Sequence, residues 1–357
     1  MYTFTYQTQP SRVVFGLDSV ERLPEEVERL AAMRALILHS PHCAETARAL
    51  GARLGGQLAG MHEGAAAHVP IEAAAAAREA ARELNADCCV AIGGGSTIGL
   101  AKAIALEIPM SIVAAPTTYA GSEMTPIWGL TQRGEKRTGR DIAVLPRVVI
   151  YDPRLTLGVP PHVAGPSGVN ALAHCVEALY APDTNPIVAL MAAEGIRALA
   201  DALPRVAASP HDLEARSDAL YGAWLGGASL GAVSMGLHHK LCHVLGGRFN
   251  LPHAETHAII LPHVIHYNRE AAPHAMRQIA DALGTSEAAR GAFDLSVTLG
   301  APTALRDIGM RAHDLDMAAE FAVLTPYANP APVTRAGIRR LLDDAFYGRL
   351  PGSTGGS

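Results

Sequence analysis

Residues 86–108 read ADCCVAIGGGSTIGLAKAIALEI. The apolar run ending in glycines predicts a strand, and TIGLAKAIALEI (97–108) predicts the helix that follows it. Strand, glycines and helix together make a physical recipe for holding a pyrophosphate. Glycines let the backbone come close, and the start of the helix turns free N–H groups and a partial positive charge toward an anion. Gly94, Gly95 and Ser96 are therefore candidate cofactor-binding residues. The spacing is neither GxGxxG nor GxxxxGK[ST], so the standard dinucleotide and P-loop fingerprints do not match. Taken alone, the motif competes with a glycine-rich turn needed only for packing. A second polar loop, PTTYAGSE (116–123), closes the next predicted strand, SIVAAPTT. In an open α/β sheet ligands bind at the carboxyl ends of the strands, so the two loops reinforce each other. Thr117 and Thr118 join the candidate cofactor site on that ground.

Working outward, RALILHS (34–40) predicts another strand, and CAETARALGARL and IEAAAAAREAARELN predict helices. WGLTQRGEKRTGRD (128–141) predicts a hairpin turning at Gly134, and RVVIYDP (147–153) returns to the sheet. Such alternation implies a mostly parallel sheet with helices on both faces. At the end of the first strand, where NAD enzymes commonly carry an acid for the ribose hydroxyls, stands Ser40, with His39 and His42 beside it. With no carboxylate there to repel a 2′-phosphate, both NADH and NADPH are expected as cofactors. After Pro153 the texture changes to Ala/Leu-rich helical runs (170–181, 187–203, 212–232, 273–283, 333–346) without convincing strands. The division expected is an α/β dinucleotide-binding domain over 1–155, an all-helical catalytic domain over 156–350 and a flexible tail over 351–357. No internal repeat is evident.

Composition narrows the function class. Across 357 residues, 49% are hydrophobic and 18% charged, which excludes a disordered chain. A formal charge of -5 argues against a nucleic-acid or anionic-membrane surface. The apolar runs are too short to span a bilayer, and the opening MYTFTYQTQPSRVVFG has no secretion pattern. Cys43, Cys88, Cys89, Cys175 and Cys242 show no paired metal spacing and read as reduced thiols of a cytoplasmic protein.

The segment HHKLCHVLGGRFNLPHAETH (238–257) holds five histidines. His239 and His243 are one helical turn apart, His253 follows a breaking segment, and Asn170 and His174 in SGVNALAHCVEALYA share one side of a helix. A single helical histidine is more often a satisfied structural residue. Several at helical spacing in apolar helices point to a site. His257, His263 and His266 are assigned to packing and capping, as are His39, His42 and His162.

In this order, GGGS, PTTxxGSE, (D/N)AxxH, HxxxHxLGG and LPHxxxHAxxLPH resemble the iron-containing (group III) alcohol dehydrogenase family. The resemblance runs from FGLDSVERLPEE (15–26) to LPHVIHYN (261–268). It implies an α/β dinucleotide-binding domain followed by an all-α domain, the dehydroquinate synthase-like architecture. Metal-dependent members hold their ion with an Asp and three His. Matched by motif, those places fall to Asn170, His174, His239 and His253, so a divalent ion loses its anionic ligand. Gly99 stands where the family has Asp, and Lys102 is retained.

These departures, with PTTYAGSEMTPIWGLT, GEKRTGRD and PHAETHAIILPH, resemble the maleylacetate reductase branch. That branch reduces maleylacetate to 3-oxoadipate with NADH or NADPH in the breakdown of aromatic compounds. The resemblance implies a small dicarboxylate substrate and a homodimer; with Asn170 in place of the carboxylate no metal is expected, although the three remaining histidines could still bind zinc. His243 or His253 is then the general acid, with Asn170, His174 and His239 shaping an oxyanion site. Lys136 falls near the nicotinamide ribose, and Lys240, Arg248 and Tyr119 face substrate, with Arg137 and Arg140 weaker candidates. A solvated helix face remains an equal reading for Lys240. Two alternatives stay open. One is an iron- or zinc-dependent alcohol or hydroxy-acid dehydrogenase of the same fold with Asn170 as a weak ligand; the other is a nucleotide-binding scaffold without activity.

Overall fold

Continuous apolar runs such as ALILH and CCVAIG suit strands covered on both faces, which is the environment of a parallel sheet flanked by helices. The computed structural model describes residues 4, 6, 8, 9, 11–66, 69–132 and 135–352, without the side chains of Glu135 and Lys136. Thr8–Val159 forms one compact unit and the chain from Pro160 another. In the first, β1 (Arg12–Phe15), α1 (Leu23–Arg29), β2 (Ala35–His39), α2 (Ala44–Leu54), β3 (Leu58–Glu63), α3 (Ile71–Glu83), β4 (Cys88–Gly93), α4 (Gly95–Ala105) and β5 (Ser111–Pro116) alternate. The hairpin β6 (Ile127–Gln132) and β7 (Glu135–Arg140) follows, and then β8 (Val148–Tyr151). The turn expected at Gly134 lies outside the described residues.

Six strands pair in parallel in the order β1-β8-β5-β4-β2-β3. Every residue of β2 and β4 is buried. Ile37, Val90, Ile92, Val113 and Ile150 pack with Leu23, Val27 and Leu50 of the covering helices. The edge strands β1 and β3 were not expected from the sequence. RVVF is only four residues long, and LAGMHE carries a glycine and a charge on a half-exposed strand, so neither has the apolar continuity of the centre.

In the second unit, the described residues from 160 form no strand. Its helices are α5 (Pro161–Tyr180), α6 (Pro186–Ala208), α7 (Leu213–Ala232), α8 (Leu237–Phe249), α9 (His253–Asn268), α10 (Pro273–Leu283), α11 (Ala288–Thr298), α12 (Leu315–Val323) and α13 (Arg335–Tyr347). α5 is buried all round from Ala164 to Leu179, as a central helix must be. It starts nine residues before the apolar run at 170, because Gly165, Pro166 and Gly168 read as helix breakers yet lie buried inside it. A Cβ on Gly226 of α7 would lie 2.7 Å from the Ala171 carbonyl oxygen, so glycine there permits the approach of α7 to α5. Among the described residues no helix is long and apolar enough to cross a membrane.

Candidate active site

The sheet reverses its direction of winding between β2, which leads out to β3, and β4, which leads to β5 on the other side. A crevice at the carboxyl ends of such strands is the usual ligand position of an open α/β sheet. The register pairs His39 with Ile92 and Gly93 with Pro116, so Ser40, Gly94 and Thr117 follow directly beyond the paired ends of three adjacent strands. The Thr117 N–H donates to the Gly93 carbonyl at 3.1 Å, tying the second loop to the first. A Cβ on Gly94 would lie 3.0 Å from Thr118 Oγ1, and one on Gly95 would lie 3.3 Å from the Ala120 Cβ. Because α4 begins at Gly95, the N–H groups of Gly95 and Ser96 have no preceding turn of helix to donate to. Glycine cradle, hydroxyls and helix start together fit a pyrophosphate.

A Cβ at position 99, where the family has aspartate, would lie 2.8 Å from Val69 Cγ2, so that side chain would have to shift. Tyr119 is buried, and Arg137 and Arg140 are exposed on β7. The side chain of Lys136 lies outside the described residues. Lys102 is buried, and its ammonium donates to the carbonyls of Ser122, Thr125 and Ile127 at 2.7, 2.8 and 2.7 Å. The ammonium is thus committed to protein backbone. Burial lowers its pKa to about 7, although nearby Glu123 opposes the shift.

The helical unit builds a different site. Asn170 and His174 of α5, His238 and His239 of α8 and His257 of α9 are all buried. The rings of His174 and His239 stack at 5.0 Å between centroids, and His257 stands edge-on to His239 at 5.2 Å and to His238 at 4.8 Å. His243 and His253 are exposed at the rim, 6.3 Å from His239 and 4.4 Å from His257 respectively. Burial, then the neighbouring imidazoles, holds His174 and His257 well below the ordinary histidine pKa, so both are neutral at pH 7. The same causes act on His238.

Glu177, fully buried, accepts from His239 Nδ1 at 2.7 Å and from the N–H groups of Gly236 and His238 at 2.9 Å each. It thereby caps the start of α8 and fixes the His239 ring. The sequence reading missed Glu177, although positions 170, 174 and 177 fall on one helical face. It also missed His238 and set His257 aside as packing, whereas the structure places both inside the cluster. His238 Nε2 and His257 Nδ1 share a hydrogen bond at 2.8 Å. Together with Cys242 they form a group whose potential ligand atoms lie within 4.8 Å of one another. Asn170 Oδ1, His174 Nδ1 and His239 Nε2 are buried without a hydrogen-bond partner in the protein.

Two other expected residues sit on α8 with partners of their own. Lys240 Nζ donates to Thr325 Oγ1 at 2.8 Å and lies 6.0 Å from the Tyr327 ring centroid. The exposed Arg248 guanidinium lies over the Phe321 ring at 4.4 Å.

Comparison with known proteins agrees with this architecture. Residues 10–153 match the family described as iron-containing alcohol dehydrogenase, and residues 165–346 match the Fe-containing alcohol dehydrogenase family, C-terminal. The chain is 54% identical over 351 residues to the maleylacetate reductase of Burkholderia cepacia, covering 98% of this chain and 100% of that one. It is 52% identical to the maleylacetate reductase of Sphingobium indicum, with coverages of 98% and 99%. The crystal structure of maleylacetate reductase from Agrobacterium tumefaciens superposes with a TM-score of 0.94 at 51% identity, covering 98% of this chain and 100% of that one.

Proposed function

Because this chain belongs to the iron-containing alcohol dehydrogenase family, we propose that it is an NAD(P)H-dependent oxidoreductase that reduces the conjugated C=C of maleylacetate to give 3-oxoadipate, without a resident metal ion. Full-length relatives above 50% identity that bear the maleylacetate reductase name support the substrate. The observation that carries the reading is the charge of the histidine cage. Glu177, the carboxylate that reaches it, is committed to His239 and to α8, while position 170 presents an uncharged amide. The remaining donors, Asn170, His174, His239 and His253, include no anion to offset a divalent cation. Such a set disfavours a resident iron ion, which prefers a charged oxygen ligand, although three histidines alone can hold zinc.

The chemistry proceeds without one. The Gly94–Ser96 turn, Thr117, Thr118 and Ser40 hold the dinucleotide, which when bound supplies a hydride. In maleylacetate the alkene is conjugated with a ketone, so hydride addition at the carbon β to that ketone leaves an enolate with its charge on the ketone oxygen. Asn170 can donate to that oxygen, since exchanging the two ends of its amide turns an unpartnered acceptor into an N–H donor. His174, kept neutral by burial, offers one N–H without introducing a charge. The exposed His243 or His253 delivers the proton to the carbon α to the ketone and recovers it from water. One such donor at the oxyanion contributes about 10²–10³ in rate. Lys240 and Arg248 are assigned to the substrate carboxylates, Tyr119 to the substrate and Lys136 to the cofactor. The same reading extends to a cytoplasmic homodimer, which light scattering tests.

Mixing the purified protein with maleylacetate and NADH in excess chelator should give steady oxidation of NADH. The rival reading, a metal-dependent alcohol or hydroxy-acid dehydrogenase, draws on His239, whose Glu177-held ring aims an unpartnered Nε2 as metal-binding histidines do. That rival requires activity to vanish in chelator and return with iron or zinc.

A further inference from the structure

We infer that Lys102 is a positioning residue for the cofactor site: its ammonium anchors Ser122–Ile127 to α4 and so keeps Thr117 and Thr118 seated against Gly94. α4 starts at Gly95, in the phosphate-binding turn, and Lys102 lies two turns further along the same helix. Its Nζ donates to three carbonyls, those of Ser122, Thr125 and Ile127, and approaches Thr125 Oγ1 at 3.1 Å. All four contacts fall on six consecutive residues that connect the second cofactor loop to β6. Thr125 Oγ1 completes the wrap by donating to the Ser122 carbonyl at 3.1 Å and accepting from the Ile127 N–H at 3.3 Å.

The other end of the loop is fixed by the Gly93–Pro116 pairing and by the Thr117 N–H on the Gly93 carbonyl. Between these two anchors the chain turns at Gly121, whose φ is 76°. The loop is therefore held at the sheet on one side and at Lys102 on the other. A lysine that merely filled core volume would be a poor choice, because a buried ammonium is costly unless hydrogen-bonded, and a methionine fills the space without that demand. Here every donor of the ammonium has an acceptor on the loop.

The inference rests on reading the two loops as the nicotinamide cofactor site, so the test separates the two. Hydrogen exchange of the Lys102→Met protein, with no cofactor present, should show faster exchange of the amides over 117–127 while β4 remains protected. Titration of the same protein with NADH should show affinity weakened about tenfold or more, with kcat at saturating NADH within about threefold of the parent, since phosphate contacts far from the reacting atoms serve ground state and transition state alike. Exchange over 117–127 equal to that of the parent overturns the anchoring. Faster exchange with unchanged NADH affinity keeps the anchor but overturns its role at a cofactor site. Should Lys102→Met fail to melt cooperatively, Thr125→Val removes the three contacts of Oγ1, those with Lys102, Ser122 and Ile127, and leaves the three carbonyl contacts of Lys102 in place. It is expected to raise KM for NADH about two- to threefold at constant kcat, and an unchanged KM overturns the inference.

Discussion

At the carboxyl ends of β2, β4 and β5 the chain gathers glycines and hydroxyls around backbone N–H groups, whereas α5, α8 and α9 gather imidazoles around a buried carboxylate. The first arrangement works through main-chain dipoles and close approach. Its charge does not depend on pH, and many side-chain changes around it are tolerable so long as no Cβ fills the cradle. The second works through side chains whose protonation is set by burial, so its chemistry changes with a single residue. One unit fits the binding of an anionic cofactor that many enzymes share, and the other fits the handling of a particular transient charge.

The sharpest way to break that comparison is to remove the proton source from the helical side alone. Replacing His243 and His253 together by Ala should lower kcat about 10²–10⁴-fold while leaving NADH affinity within a factor of about two. Both side chains are exposed, so the fold should survive. Stopped-flow measurement of hydride transfer beside steady-state turnover checks it, and full turnover in the double variant would remove both residues from the mechanism.

Acid should also separate the two units, because the buried histidines are concentrated in one of them. Burial lowers His263 from the ordinary 6.5 to about 4, and His174, His238 and His257 also lie well below the usual value. Between about 4 and 6.5 the unfolded chain binds a proton at position 263 that the folded chain refuses. Stability therefore rises with pH across that window and is lost as pH falls through it. For His263 alone the loss is roughly 3 kcal/mol, at about 1.4 kcal/mol per tenfold change in the proton equilibrium. Trp224 lies on α7 and Trp128 on β6, so each unit carries its own fluorophore. In a Trp128→Phe protein, the urea midpoint reported by Trp224 should drop steeply from pH 6.5 to 4. In the Trp224→Phe protein the midpoint reported by Trp128 should move less.

How far each unit can be read from sequence follows from the same contrast. The central strands and the GGGS turn are legible because burial on both faces leaves a continuous apolar signal and because phosphate binding needs glycine at fixed points. The edge strands β1 and β3 are not, since half-exposure dilutes the pattern. In the helical unit Asn170, His174, His239 and His253 were legible as a motif. The cluster around them was not, because Glu177, His238 and His257 matter through contacts between α5, α8 and α9 that no local spacing encodes. Lys102 was legible only as a lysine retained from the family motif, and the path of residues 122–127 reveals that its ammonium is enclosed by carbonyls.

The smallest effect is expected at the carboxyl end of β2, where the adenosine ribose is proposed to lie. Ser40 follows the last residue of β2, half-buried, with His39 Nδ1 against its carbonyl oxygen at 3.0 Å. Placing a carboxylate there puts a negative charge where the ribose 2′ position of the dinucleotide is expected. A 2′-phosphate is then repelled, and a free 2′-hydroxyl gains an acceptor. Ser40→Asp should therefore shift the ratio of kcat/KM for NADH over NADPH upward about tenfold, the size of one partly screened charge contact at a solvated site. Because the hydride and the proton are delivered elsewhere, kcat with saturating NADH should stay near that of the parent. A selectivity ratio that does not move would place the adenosine ribose away from the end of β2, and with it the assignment of Ser40 to the cofactor.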